Sequence, residues 1–216
     1  MNTPPPPGGE RHGTRAVALP PACALAGSLA LSFAATHQNT PPTAPAPSAA
    51  GTITPADAPP SQPAGPPPTP TALDIPDIGL HADLDPLTTD GNGVLQPPDR
   101  PDRAGWYTTA ATWQSPLVLT GHVDYPHTGP AVFYHLGDLR PGQRVTLTTT
   151  DHHNRTYTVD AVRSYAKDDF PTQQVYGPTS TPQLRLITCG DWDDQAHAYR
   201  ANTIAFATLT ADGGDG

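Results

Sequence analysis

Between residues 73 and 209 apolar positions recur in short runs, many of them alternating with polar neighbours and broken by turn signals. Alternation with period two marks a half-buried strand. LDIPDIGL and HADLDPL open the series, and TDGNG punctuates it as a turn. SPLVLTGH reads as a buried strand ending at His122, while RPGQRVTLTTT and RTYTVDAVRSYA form a hairpin around the polar DHHN. PQLRLITC and YRANTIAFATL supply the last two strands. Short helical turns are predicted at DRAGWY and around FPTQQVYG. Many short strands with little helix predict a mainly β domain, closed as a barrel or stacked as a sandwich.

The pattern is different upstream. Residues 16–35 form an apolar run without a charge, and Arg11 and Arg15 stand just before it. Twenty such residues are long enough to span a bilayer, and the basic flank keeps the preceding tail, residues 1–15, cytoplasmic. This predicts a transmembrane signal anchor, with a cleaved signal peptide as the alternative. Residues 36–71 are rich in Pro, Ala, Thr and Ser and cannot bury enough apolar surface to fold, so they read as a disordered linker. In partly extended form they would reach on the order of 100 Å. The expected layout is completed by a folded domain at 72–210, exported and held at the cell membrane, and a flexible C-terminus at 211–216.

Composition sharpens the β reading. From residue 73 onward there are eighteen aspartates and no glutamate, against nine Lys+Arg of which Lys167 is the single lysine. The usual surface helix formers are therefore scarce, and Val, Thr, Tyr and Ile fill the periodic stretches instead. The acidic balance excludes nucleic acid as a partner, since phosphate binding needs clustered Lys and Arg. Two cysteines, Cys23 and Cys189, make no disulfide framework.

Cys189 therefore invites a chemical reading. It ends an apolar strand beside Gly190, and a thiol becomes a nucleophile when an imidazolium stabilises its thiolate. Of the seven histidines in the domain, only His122 sits in the same way, at the end of a strand beside glycine. Two strand ends in a small barrel can lie side by side, bringing ring and sulfur together. Acyl transfer also needs a donor for the developing oxyanion. Arg200 lies across the turn GDWDDQAHAY at the start of the next strand, and Arg185 competes with it because it shares strand parity with Cys189.

TGHVDYPHTGPAVFYHLGDLRPGQRVTL, LRLITCGDW and YRANTIAFATL together resemble a sortase, the class F type of actinobacteria in particular. LDIPDIGLHADLDPL and PDRAGWY resemble the opening strands and short helix of that class. The resemblance implies a closed eight-stranded β-barrel and a cysteine transpeptidase acting on LPxTG-like sorting signals. On this reading Cys189 attacks the Thr–Gly carbonyl, His122 protonates the leaving amine, and Arg200 holds the substrate backbone and the oxyanion. Thr188 falls on the family's groove-lining threonine. The implied partners are a sorting-signal peptide and an amine acceptor, such as a cell-wall peptide or a pilin lysine. No cofactor is implied. Ala201 stands where class F members often carry aspartate, and GDWDD is an acidic form of the turn.

Rival readings differ in their chemistry. His122, Asp124 and His127, with Cys189, form a candidate zinc set for a metal-dependent hydrolase. Asp168, Asp169, Asp191, Asp193 and Asp194 are a candidate calcium cluster, read here as solvated loop charges with no metal. An L,D-transpeptidase would place a Ser-His-Gly-Cys type signature at the cysteine, where this chain has Ile187 and Thr188. Papain-like enzymes place Cys before His, the reverse of this order. A non-catalytic wall-binding β module would bury Cys189. The stretch AKDDFPTQQVYGPTSTPQ is expected to form one wall of a substrate groove.

Overall fold

The alternating runs become strands in the computed structural model, which describes residues 40–53, 68–91, 93–108, 115–125 and 128–214. The expected tail, the apolar run at 16–35 and residues 54–67 of the linker lie outside the described residues. Among the described residues no helix is long and apolar enough to cross a membrane.

The strands are β1 (Pro70–Ile75), β2 (Leu80–Leu87), β3 (Ala104–Tyr107), β4 (Leu117–Thr120), β5 (Asp124–Tyr125), β6 (Gly129–Pro130), β7 (Arg144–Thr149), β8 (His153–Ala166), β9 (Gln183–Asp193) and β10 (Ala198–Gly214). Eight of these, in the order β1, β2, β3, β4, β9, β10, β8, β7, make a closed barrel, and β7 pairs back onto β1. Closure removes the exposed strand edges that a sandwich would leave. The remaining two, β5 and β6, pair only with each other. The expected hairpin is the β7–β8 pair, and its turn holds His152 at φ 61°.

Strand alternation sorts the side chains into two apolar layers. Leu184 and Leu186 of β9 point inward with Leu73, Leu119 and Leu147. Ile187 points outward and packs with Val118 of β4 and with Ile204 and Phe206 of β10. A short helix, α1 (Thr172–Tyr176), lies over this outer layer and buries Val175 in it. It forms within FPTQQVYG, as the sequence predicts.

Three segments depart from expectation. DRAGWY is not a helical turn, because Ala104–Tyr107 is a strand, parallel to β2 and antiparallel to β4. Four residues carry too little periodicity to decide alone, and pairing on both sides decides for them. A Cβ at Gly105 would lie 2.3 Å from a Leu87 methyl, so the glycine leaves room for the Leu87 side chain as it is placed. Arg103 anchors the start of β3 with a two-pronged bond to Asp85 (2.7 Å twice) and another to Asp83 (2.9 Å). At the other end of the chain, residues 211–214 are not loose: β10 keeps pairing with β8 as far as Gly214 opposite His153.

The third departure is a strap. Residues 40–53, inside the stretch expected to be disordered, run along the barrel. A 3-10 turn at Pro47–Ala50 buries Ala49 completely. The Tyr134 hydroxyl donates to the Thr40 carbonyl at 2.5 Å. The Arg163 guanidinium donates to the carbonyls of Ala50 (2.8 Å) and Gly51 (3.0 Å). A proline-rich segment is short of N–H donors but keeps every carbonyl acceptor, so donors on the barrel can hold it without sheet pairing. Bulk composition conceals this.

Candidate active site on the outer face of the barrel

β9 carries Cys189 at the edge of the outer apolar layer. Its parity puts Arg185, Ile187 and Cys189 on the outer face, with Leu184, Leu186 and Thr188 facing inward. β4 runs parallel beside it, with Val118 opposite Arg185 and Thr120 opposite Ile187. One step further on, the Gly121 amide donates to the Ile187 carbonyl at 3.2 Å. The same register, continued one residue further past the end of β4, would set His122 level with Cys189. Both residues are half-buried. The apolar run ends at Cys189 but the strand does not, since β9 continues to Asp193, while His122 lies two residues past the end of β4.

Thr188 holds this junction together from within. The sequence reading assigned it to the wall of the substrate groove. Its side chain is 4% exposed and turned inward, and its hydroxyl donates to the Gly121 carbonyl at 2.8 Å. The reason is parity, since the neighbour of an outward-facing Cys189 must face in. Thr188 therefore ties β9, one residue before Cys189, to the chain just past β4, one residue before His122.

Across β9 and β10, Cys189 faces Asn202, and Arg200 sits on the same outer face two residues away along β10. Such diagonal neighbours lie about 7–8 Å apart, within reach of a long side chain. The Arg200 side chain is 65% exposed, and its guanidinium rests 3.1 Å from Asp193 and 4.0 Å from Asp191. The acidic turn noted in the sequence thus provides the present partners of Arg200. Asp191 adopts a left-handed φ of 56°, a conformation uncommon outside glycine but tolerated by aspartate.

Arg185 shares this face but has another role. It is 1% exposed, with the guanidinium donating to Gln174, Leu184 and Gln183 and lying 4.8 Å over the Phe206 ring. Burial pulls its pKa down to about 10, partly offset by Asp160. Its donors are spent on α1 and its own strand. This leaves Arg200 as the arginine with open access on the face of Cys189.

Burial pushes the Cys189 thiol up; Lys167 draws it down through space and Asp124 pushes it up. The resting thiol is therefore mainly protonated at neutral pH. Lys167 opens the 3-10 turn Lys167–Asp169, in the connection between β8 and β9 that continues into α1. The sequence reading named this connection as a groove wall and noted the single lysine, without joining the two. Tyr199 is the other residue it passed over. Its hydroxyl donates to Asp124 at 2.5 Å, and its ring meets Trp192 edge-on at 4.9 Å.

No group of three His, Cys, Asp or Glu residues suited to a metal occurs among the described residues. His122, Asp124 and Cys189 do not converge as ligands, and His127 lies outside the described residues. Asp191 and Asp193 of the candidate calcium set are turned toward Arg200.

A sequence model described as the sortase domain matches residues 73–210. No curated protein sequence matches the chain significantly. Among solved structures, a lid mutant of sortase A from Corynebacterium diphtheriae is 20% identical, with a TM-score of 0.51 over 70% of this chain and 74% of that one. Sortase C1 from Streptococcus agalactiae is 18% identical, with a TM-score of 0.51 over 66% of this chain and 68% of that one. At these identities the structural likeness speaks for the fold, a closed barrel shared with sortases.

Proposed function

The chain belongs to the sortase family of cysteine transpeptidases, and from that premise we propose that it is a class F type enzyme using Cys189, His122 and Arg200 to cleave an LPxTG-like sorting signal between Thr and Gly. The subclass rests on the resemblance of TGHVDYPHTGPAVFYHLGDLRPGQRVTL and YRANTIAFATL to that class. The observation that supports the catalytic reading is the β4–β9 register, which, continued two residues past Thr120, leads to His122 beside Cys189.

The chemistry follows from that adjacency. The Cys189 thiol passes its proton to the His122 imidazole as sulfur bonds to the threonine carbonyl carbon. Arg200 turns from Asp193 toward the new oxyanion, offering a planar fork of donors. The carbon–nitrogen bond then breaks, and the His122 imidazolium gives its proton to the departing glycine amine. An incoming amine, or water, loses a proton to His122 and displaces the sulfur from the thioester. Residues 16–35 would hold the enzyme in the cell membrane with the barrel outside, where sorting signals and wall or pilin amines meet.

The test is direct. Cys189→Ala abolishes peptide cleavage and leaves the melting temperature unchanged, and wild type given peptide without an amine shows a thioacyl adduct on Cys189 by intact mass. His122→Ala loses at least about 10²-fold in turnover. Near wild-type cleavage by Cys189→Ala would sink the assignment.

A further inference from the structure

The segment that follows His122 leaves the barrel sheet, although Val123 is buried and Phe133 packs into the core. β4 ends at Thr120, and Gly121 is the last residue before His122 bonded to β9. Beyond it the main-chain bonds of His122 and Val123 go to Phe133 and Ala131, within the same excursion of the chain. β5 pairs only with β6. The His122 ring already meets Tyr125 edge-on at 5.1 Å, and a side-chain tie from this segment to β10 would fix it further, because a small misplacement of a reacting group is costly in rate.

Asp124 supplies that tie. Its Oδ2 accepts the Tyr199 hydroxyl at 2.5 Å, linking residues 75 positions apart. Tyr199 is itself well seated at the start of β10. Its ring packs on Trp192, whose indole N–H donates to Asp194 at 2.8 Å, and its chain neighbour is Arg200. Burial and the bond to Asp124 hold the phenol protonated far above neutral pH, so it remains a donor over the whole working range. The bond therefore spans from the strand that carries Arg200 to the segment that carries His122.

Asp124 also brings charge. The thiol of Cys189 feels both Lys167 and Asp124, with His122 just past β4 and Arg200 along β10. A carboxylate here opposes a lone thiolate, while a thiolate accompanied by imidazolium carries no net charge for it to oppose. Formation of the nucleophile is then coupled to protonation of the general acid.

We propose that Asp124 and Tyr199 act as one positioning pair for the transpeptidation reaction, fixing His122 relative to Cys189 and Arg200 and setting a negative charge beside the thiol–imidazole couple. This rests on the catalytic reading of Cys189 and His122, and the test separates the two. Tyr199→Phe and Asp124→Asn, both close to isosteric, and the double variant are compared with wild type. The measurements are turnover of an LPxTG peptide and the pH dependence of Cys189 alkylation by iodoacetamide.

Tyr199→Phe is expected to lower kcat about tenfold with KM within about twofold, in line with loss of a hydrogen bond to a charged group. Asp124→Asn lowers kcat by a similar factor and moves the alkylation profile to lower pH. The double variant loses little more than the worse single one, as coupled residues do. Independent, multiplying losses, or wild-type kcat in Tyr199→Phe, would overturn the pair. So would an unmoved alkylation profile in Asp124→Asn with lowered melting, which marks a purely structural bond. An active Cys189→Ala would instead overturn the catalytic reading, leaving the alkylation profile to report on Asp124 by itself.

Discussion

Two arginines on one face of the barrel show how a side chain's surroundings set its role. Sequence spacing left Arg185 and Arg200 as competitors, because parity with Cys189 is visible in the sequence and burial is not. Arg185 lies beneath α1 with its donors engaged, whereas Arg200 is exposed and meets only the acidic turn. Arg185→Ala strands the Gln183 and Gln174 acceptors and is expected to lower stability by at least about 2 kcal/mol. Arg200→Ala should leave melting unchanged and lose about 10²- to 10³-fold in turnover, with Arg200→Lys losing at least about tenfold. Denaturant titrations paired with peptide turnover check both, and equal destabilisation by the two alanine variants would refute the distinction. Lys167 gives a second prediction. Its positive charge favours the thiolate, so Lys167→Ala raises the Cys189 pKa further and shifts alkylation to higher pH. A profile that stays put or moves down would show that Lys167 does not act on the sulfur.

At the scale of elements, the strands with sustained alternation were legible and the short ones were not. RTYTVDAVRSYA and YRANTIAFATL carry enough repeats to declare strand, and they became β8 and β10. DRAGWY did not, and its strand owes its existence to β2 and β4 on either side. The end of β4 was legible because a polar residue after an apolar run announces a terminus, whereas β9 outruns its apolar stretch by four residues, to Asp193. The inward turn of Thr188 was open to the same parity argument that placed Cys189 outside. The β2–β3 pair depends on Arg103, which holds the Asp85 carboxyl below its usual range near 3.8. Because the folded pKa is the lower one, the contribution of Asp85 is fully present above the unfolded value and fades as pH falls through the folded value. The stability gap between wild type and Asp85→Asn should accordingly be constant near neutrality and close in acid below about pH 4. A gap that persists at pH 2 would contradict this.

At the scale of the whole molecule, the strap makes part of the proline-rich stretch belong to the fold. A Cβ on Gly137 would lie 2.1 Å from the Thr43 carbonyl oxygen, and one on Gly51 would lie 1.8 Å from that of Asp160. Gly137→Ala is expected to displace the strap, lower stability by about 1–3 kcal/mol as overpacking does, and open residues 40–53 to protease. Cleavage there at the wild-type rate would show that the strap is not seated through Gly137. The barrel also has a kinetic consequence, arising from the parallel β4–β9 junction. Thr188 and Gly121 are 67 positions apart in the chain, and no local hairpin can bring them together. Such distant pairings form slowly and late, after the loop-closure entropy of everything between them has been overcome. An unfolded chain therefore holds a sulfur and an imidazole that remain strangers until the barrel shuts. On the proposed catalytic reading, reactivity arrives with the completed fold, and a half-folded chain is not acylated by passing peptides.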